Sequence, residues 1–550
     1  MKKTDFIVIA LIILFSVLTL KDLFIPGFYT SHDGIHQIVR LYYFDKLMHD
    51  GQFPPRYVGN LLYGFGYPLF SFSYQMPWFF GEPLHFAGLS VIDSVKMTFL
   101  VTYVLSGIAM FIFQKKVFGT LPAIVGTVVY QYAPYRFSNI FVRAAIGDAT
   151  SFIFPPLFFL AIYMIKKGKK ISGKWISLSA LSIAGLLLSH AMVFFLFIIC
   201  IGIYFILSYL FVPNKKLFLV SFISIGFLAS GLSAYYFFPS LIERNYTVFA
   251  SIFGPEFVGN TFLSIKDLIY SPWGYGMMNA KEGAMSLQVG IGQWLSVIAG
   301  FIGLIWLSLR RNLSNKEKLL RGEAFIFLVI FIFSVFLMLP LSLFLWKLIS
   351  RFAIVDFTWR VLPVTVLAAS YLAGFLSSVV HGREFFAFLL VLITLYAVRN
   401  DTRINQVQNW SMPFYLSLES TTNQNDEYTP QWVRSDLLKP GLPKVEFSGN
   451  NAVIDIKDMK SNYISLAENA SQSGILQINR VYYPGWVAYV NGRQAQINYK
   501  DNGFMKLRVA AGRNLVEAKF METPLRKISD ILSIISLLVA SYLIIRYRKT

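Results

Sequence analysis

The sequence predicts a polytopic α-helical membrane protein with an extracytoplasmic β-sandwich near the C-terminus. Three observations predict it. Of 550 residues, 55% are hydrophobic and only 14% are charged, whereas a soluble globule carries about 25% charged residues. Long apolar runs alternate with loops that are in turn rich and poor in lysine and arginine. Beyond about residue 445 those runs give way to short segments of alternating polarity, the period of strands with one buried face.

Twelve spans can be marked, at 6–25, 95–113, 117–134, 151–165, 175–190, 191–211, 217–239, 288–309, 323–345, 359–380, 384–399 and 527–546. The first follows Met1-Lys2-Lys3 and shows no small-residue cleavage site before Pro26, so it reads as a retained signal anchor. Its length of about 20 residues is near that needed to cross a ~30 Å hydrocarbon layer. Lys115-Lys116, Lys166 to Lys170, Lys215-Lys216, Arg310-Arg311 through Arg321, Arg383 and Arg546 to Lys549 all fall on one side if the spans alternate. The positive-inside rule makes that side cytoplasmic. Both termini are then cytoplasmic, and loops 26–94, 135–150, 240–287, 346–358 and 400–526 face outward. The net charge of +20 does not point to nucleic acid, because the basic loops are short and lack interleaved aromatics. Cys200 is the single cysteine; in its apolar run it reads as a small buried hydrophobe.

The change of composition near residue 400 divides the chain into a transmembrane domain, 1–399, an outer domain, 400–526, and a last span with a basic tail, 527–550. Strands are expected at 452–456, 463–467, 475–479, 486–490, 494–499, 504–509 and 515–520, forming an antiparallel sandwich from about residue 445. Asn491-Gly492 between two of them is a two-residue hairpin signal, because both positions tolerate positive φ.

The first outer loop, 26–94, carries Ser31-His32-Asp33-Gly34 and then Ile35, Ile38, Val39, Tyr42, Tyr43, Leu47 and Met48 at near-helical spacing. This predicts an amphipathic helix lying on the membrane surface. Asp33 would stand at headgroup level, within reach of a lipid-borne phosphate. A carboxylate there suits a general base that takes a proton from an acceptor hydroxyl while its oxygen attacks a sugar carbon. It suits equally a cap on the helix that follows. His32, Asp33 and His36 have a spacing that could collect a divalent cation, although a solvated histidine pair fits the same residues. The run from Tyr63 to Phe80, Tyr67 within it, is broken too often by Gly and Pro for a regular span. Its rings read as headgroup anchors or as apolar faces for a sugar or polyprenyl chain.

A second constellation, Tyr135-Arg136 with Arg143-Ala144-Ala145-Ile146-Gly147-Asp148, falls on the same outer side. Arg143 could take a phosphate by a bidentate contact, with Asp148 orienting it or holding an acceptor; a structural ion pair is the alternative. Ser189-His190 and Asp356-Phe357-Thr358-Trp359-Arg360 mark the outer ends of two more spans, where an interface histidine and an interface anchor are the plain alternatives to ligands. Ionisable groups at membrane depth are functional candidates because placing them there is costly.

Asp33 with Gln37, Gly64-Phe65-Gly66-Tyr67-Pro68, the Arg143–Asp148 segment, Ser189-His190, Phe357-Thr358-Trp359-Arg360, and Tyr482 to Gly492 together resemble bacterial membrane proteins of the 6-pyruvoyl-tetrahydropterin synthase-related, YfhO-like group, within the GT-C class of polytopic glycosyltransferases. The likeness covers nearly the whole chain. It implies a GT-C fold, an essential acid in the first outer loop at Asp33, and sugar transfer from a polyprenyl-phosphate donor. The group's pterin name implies no activity here.

The expected function is therefore transfer of a sugar from a lipid-linked donor to a cell-envelope glycan or glycolipid on the extracytoplasmic face of the cell membrane. Asp33 and Asp148 are the expected catalytic residues, and Arg143, His190, Arg360, His36, Gln37 and Tyr67 the expected substrate-binding set. Membrane lipids are expected partners, and a divalent cation is left open as a cofactor. The competing readings are a flippase for a lipid-linked saccharide and a non-catalytic envelope-assembly protein. Transport calls for polar residues within spans and related halves, both scarce around 191–211 and 323–345.

Overall fold

The computed structural model describes residues 3–252, 261–350, 355–379, 382–418, 420–449 and 452–546. Lys2 and 547–550, expected in the cytoplasm, lie outside the described residues, as do 253–260 and 351–354 of two loops expected to face outward.

Among the described residues, eight helices are long and apolar enough to cross a membrane: Val91–Phe118, Ile146–Lys167, Ala191–Phe211, Lys215–Leu232, Ile291–Leu309, Asn315–Leu337, Thr358–Val379 and Pro524–Arg546. The chain is built as a membrane protein on a helical bundle. Helices also form at four other expected spans, but Lys3–Thr19, Thr120–Gln131, Gly173–Ser189 and Arg383–Ala397 have only 17, 12, 17 and 15 residues. These four are shorter than the roughly 20 residues typical of a full crossing, so length and composition support eight of the twelve expected spans. Gly119, at φ 99°, breaks the chain between Phe118 and Thr120; the left-handed region it adopts is open to glycine and cannot continue a helix.

Burial orders the bundle. In the apolar stretch of Thr358–Val379, 89% of residues lie inside the protein, and in Ile146–Lys167 83%, against 22% in Pro524–Arg546. The first two helices are central and the last is peripheral. Asp148 and Arg360 stand at the starts of the two central helices, so the bundle's axis carries charge at one end.

The helix expected to float on the membrane surface, Gly34–His49, is instead enclosed. Ile38, Val39, Leu41, Phe44 and Leu47 have no exposed surface, and the helix packs on Val91–Phe118, Met76–Phe86 and Met412–Leu418. Apolar residues cover more of its circumference than one interfacial face requires, and protein takes the place of lipid around them. The aromatic run is likewise not an anchoring belt. Phe65, Tyr67, Phe70 and Trp78 are buried, and rings of this loop meet rings of the C-terminal region: Tyr57 with Trp486 at 5.6 Å, Phe65 with Phe504 at 5.2 Å, and Phe72 with Tyr428 at 4.9 Å.

The C-terminal region holds two antiparallel sheets. The larger has the strand order Ala452–Met459, Tyr463–Ala470, Gly512–Phe520, Trp486–Val490, Arg493–Ala495, and the smaller Val445–Phe447, Gly474–Val481, Phe504–Val509. Ile464, Leu466, Val516 and Ala518 of the first sheet share one core with Leu476, Ile478, Met505 and Leu507 of the second. Val490 pairs with Arg493 across Asn491-Gly492, whose φ values of 53° and 78° are those of the expected hairpin turn. Trp486 is buried in this core.

Ion pairs join this region to the bundle. Buried Arg56, in the loop between Lys3–Thr19 and Val91–Phe118, donates to Glu522 at 2.8 Å and to Asp530 at 2.7 Å. Buried Arg526 grips Glu243 at 2.8 Å, and Tyr483 donates to the same carboxylate at 3.1 Å. Removing one partner of such a buried pair leaves an uncompensated charge. Loop, sheets and last helix are therefore one packed unit.

Candidate active site

Asp33 occupies the N-cap position of Gly34–His49, yet its carboxylate makes no hydrogen bond to the helix. The capping alternative is thereby removed. What holds the position is the backbone: His32 N–H donates to the Val142 carbonyl at 3.0 Å and Asp33 N–H to the Arg143 carbonyl at 2.8 Å. Those carbonyls are turned toward the loop because Ser138–Arg143 forms a wide π-type turn and Ala144, fully buried, follows in the left-handed region at φ 52°. Both features are uncommon and cluster at functional sites. Here they set Asp33, half-buried, within the electrostatic reach of the Arg143 guanidinium.

Beneath Asp33 lies a buried ionic network. Asp148 has no exposed surface. Its carboxylate accepts from Arg143 Nη1 at 2.6 Å and from Arg360 Nη1 at 3.0 and 3.1 Å. Arg143 Nη1 also donates to Asn139 Oδ1 at 2.7 Å, and its guanidinium lies 4.6 Å from the Trp359 ring centre. A second carboxylate, Asp356, receives Arg360 Nε and Nη2 at 2.6 and 2.7 Å, a bidentate fork. Two arginines are thus matched by two aspartates. Asp148 is paired on both oxygens and closed to solvent, the arrangement in which it orients Arg143 and Arg360. Arg143 and Arg360 are neutralised by the same pairs, so neither offers an uncompensated charge to a phosphate. Trp359 is buried and belongs to this network, where the sequence alone left an interface anchor as the plain alternative.

His190 closes one side. Burial pushes its imidazole down to about 4, against the opposing pull of Asp148, so it is neutral at pH 7. Its Nε2 lies 3.0 Å from Arg360 Nη1, an arginine that can only donate. The proton is therefore on Nδ1, which has no hydrogen-bond partner among the described residues. A buried N–H donor left open in this way is available to a ligand oxygen. The unfolded chain takes up the His190 proton below about 6.5 and the folded chain only near 4, so stability is lost as pH falls through that window. Thermal unfolding of His190→Gln should lose this part of the acid sensitivity between pH 6.5 and 4, and melting curves across that range check it.

Tyr74 closes the other side. It donates to Gln37 Oε1 at 3.1 Å and its ring lies 5.6 Å from that of His190. Burial pushes its phenol above the ordinary value, with Asp33 and Asp148 adding to the rise and Arg40 opposing it. Tyr74 is thus a neutral donor surrounded by the charged groups of the site. Arg40, half-buried, stacks on Tyr74 at 5.6 Å. It is held by neutral oxygens: Nε donates to Thr422 Oγ1 at 3.0 Å, and Nη2 to the Thr422 carbonyl at 2.6 Å and Asn423 Oδ1 at 3.1 Å. Sequence reasoning missed Arg40 and Tyr74. Spacing held a signal for the first, since Asp33, Gln37 and Arg40 at i, i+4 and i+7 share a helix face.

Of the expected substrate-binding set, Arg143, His190 and Arg360 gather at Asp148, with Arg143 also within electrostatic reach of Asp33, while Gln37, buried, and His36, half-buried, lie in the first turn of the helix that Asp33 begins. Tyr67 does not join them. It is fully buried, and its hydroxyl accepts from Tyr428 N–H at 2.8 Å in the contact between loop and C-terminal region. Among the described residues, no group of three or more His, Cys, Asp or Glu side chains could hold a metal ion. His32 Nε2 lies 3.0 Å from the Tyr275 carbonyl, which needs a proton on that nitrogen and leaves no lone pair there for a cation.

The site lies at the end of the bundle away from the lysine-rich helix ends. Asp148 and Lys166 are at opposite ends of Ile146–Lys167, roughly 27 Å apart at 1.5 Å per residue. An apolar cleft of about 370 Å³ is lined by Met76, Phe79, Gly185, Leu188, Tyr235 and Leu537 among others; its Met76 and Leu188 follow Tyr74 and precede His190 by two residues each in the chain.

No family model matches the chain, so the narrower YfhO-like resemblance gains no support from that side. An uncharacterized protein of Lactococcus lactis subsp. cremoris is 23% identical over 578 residues, covering 93% of this chain and 90% of its own. Among solved structures, the arabinofuranosyltransferase AftD from mycobacteria is similar with a TM-score of 0.43 at 14% identity, over 72% of this chain and 26% of its own. The Archaeoglobus fulgidus oligosaccharyltransferase is similar with a TM-score of 0.44 at 14% identity, over 73% of this chain and 55% of its own. The chain thus spans about a quarter and about half of the lengths of these two transferases.

Proposed function

We propose that the protein is a membrane glycosyltransferase that moves a sugar from a polyprenyl-phosphate donor to a cell-envelope glycan or glycolipid on the extracytoplasmic side. The observation that carries the reading is Asp33: a half-buried carboxylate, free of its helix, anchored through its backbone to a buried ionic network. In the proposed step Asp33 takes the acceptor hydroxyl proton and that oxygen bonds to the anomeric carbon. The bond from that carbon to the donor phosphate oxygen breaks, and its electron pair leaves with the phosphate. Arg40, held by neutral groups, takes the leaving phosphate. The His190 N–H and the Tyr74 hydroxyl orient the sugar, and the apolar cleft lined by Met76 and Leu188 takes the isoprenoid chain.

Transport is the weaker reading, because the charges of the site are mutually paired at one end of the bundle and do not line a path through it. The test uses full-length protein in nanodiscs with short-chain polyprenyl-phosphate sugars and a cell-envelope glycolipid extract. Free polyprenyl phosphate and a labelled glycolipid are expected products. Arg40→Ala should lower kcat/KM for the donor by about 10²-fold, the scale of losing one charge-stabilising donor. Donor crossing the bilayer chemically unchanged, with no transfer for any sugar tried, would replace the reading by transport.

A further inference from the structure

At the other end of the bundle the helices enclose a cavity of about 750 Å³ that the chemistry at Asp33 does not use. It lies among the ends of Ile146–Lys167, Ala191–Phe211, Ile291–Leu309 and Asn315–Leu337. Four cationic side chains line it, Lys166, Lys167, Lys318 and Arg321, against one carboxylate, Glu323. That carboxylate is already engaged. Lys166 Nζ donates to Glu323 at 2.5 Å and to Ser208 at 2.6 Å, and Tyr204 donates to the second Glu323 oxygen at 2.8 Å. Lys166 and Glu323, each with under a twentieth of its side chain exposed, form a neutral floor. The charges of Lys167, Lys318 and Arg321 remain above it.

Apart from Ser208, Ser308 and Asn315, the rest of the wall is mostly apolar. From Lys318 to Ile326 the helix descends roughly 12 Å, and over that depth Phe325 and Ile326 face Leu304, Phe211 and Val212 across the cavity. Phe211 and Phe325 are 63% and 43% exposed, so the apolar part is open sideways to the hydrocarbon. A site with cations at the rim and a greasy flank open to the bilayer matches a molecule with an anionic head and acyl tails. A free anion would leave the flank empty.

We propose that this cavity binds an anionic glycerophospholipid of the leaflet at the lysine-rich end, its phosphate between Lys318 and Arg321 and one acyl chain along Phe325 and Leu304. Basic pockets between membrane helices hold anionic headgroups in this way. The proposal stands independently of the chemistry at Asp33. It is tested on full-length protein in nanodiscs of mixed phosphatidylglycerol and phosphatidylcholine, with the lipid kept on detergent extraction counted by native mass spectrometry. Phosphatidylglycerol should be retained at least tenfold over phosphatidylcholine, and Lys318→Ala with Arg321→Ala should abolish that preference at an unchanged thermal midpoint. A photoreactive phosphatidylglycerol on the wild-type chain should label peptides containing Leu304 and Phe325, a readout that needs no variant. Even labelling over all helices, unchanged retention in the double variant, or full displacement by millimolar inorganic phosphate would overturn the proposal.

Discussion

Asp33→Asn is expected to slow sugar transfer by about 10²- to 10⁴-fold, the usual contribution of a positioned general base, with the thermal midpoint unchanged. The substitution separates the two roles that the position allows. Asparagine caps helices as well as aspartate does, so a residue needed only to start Gly34–His49 would tolerate it fully. The carboxylate also makes no capping bond that the change could remove. The backbone bonds to Val142 and Arg143 do not depend on the side chain. Asn keeps the shape and loses the basic oxygen, so the loss should fall on kcat with KM for the donor little altered. Single-turnover transfer with purified variant and wild type decides the matter. Equal rates would remove Asp33 from the chemistry.

Asp148→Asn is expected to act on stability, by roughly 3–5 kcal/mol, the cost of breaking a buried ion pair by removing one partner. Asp148 is the common anchor of Arg143 and Arg360, at 2.6 and 3.0 Å. Without its charge, Arg143 is left with only the neutral Asn139 oxygen and the Trp359 face. Arg360 keeps its fork to Asp356. That asymmetry gives a second arm: Arg143→Met added to Asp148→Asn removes the stranded charge and should recover part of the lost stability. Chemical and thermal unfolding of the single and double variants read both effects. A single variant as stable as wild type would show that the network does not hold the site together.

Much of the site was legible as a set of residues and little of it as an arrangement. Asp33, Arg143, Asp148, His190 and Arg360 could be placed at one end of the bundle because hydropathy and loop charge order the spans. Pairing was not legible. Whether Arg143 faces a phosphate or a carboxylate depends on Arg360, more than 200 positions away, and on the left-handed turn at Ala144. Arg40 and Tyr74 escaped notice because each looks ordinary in its own segment and gains meaning only from the other and from the Thr422 loop. Tyr67 shows the opposite error, a conspicuous ring whose role is packing.

Local chemistry by itself determined the membrane class, the apolar helices, the paired strands around Asn491-Gly492 and the acid that begins the first loop helix. Each of these follows from the period and polarity of neighbouring residues, which a chain carries wherever it lies. Tertiary structure alone decided that the loop helix is enclosed and not floating, that the aromatic run binds loop to sheet, and that Asp148 holds two arginines in place. Those outcomes turn on which distant surface arrives to replace lipid or water around a side chain. No local pattern of residues encodes that arrival.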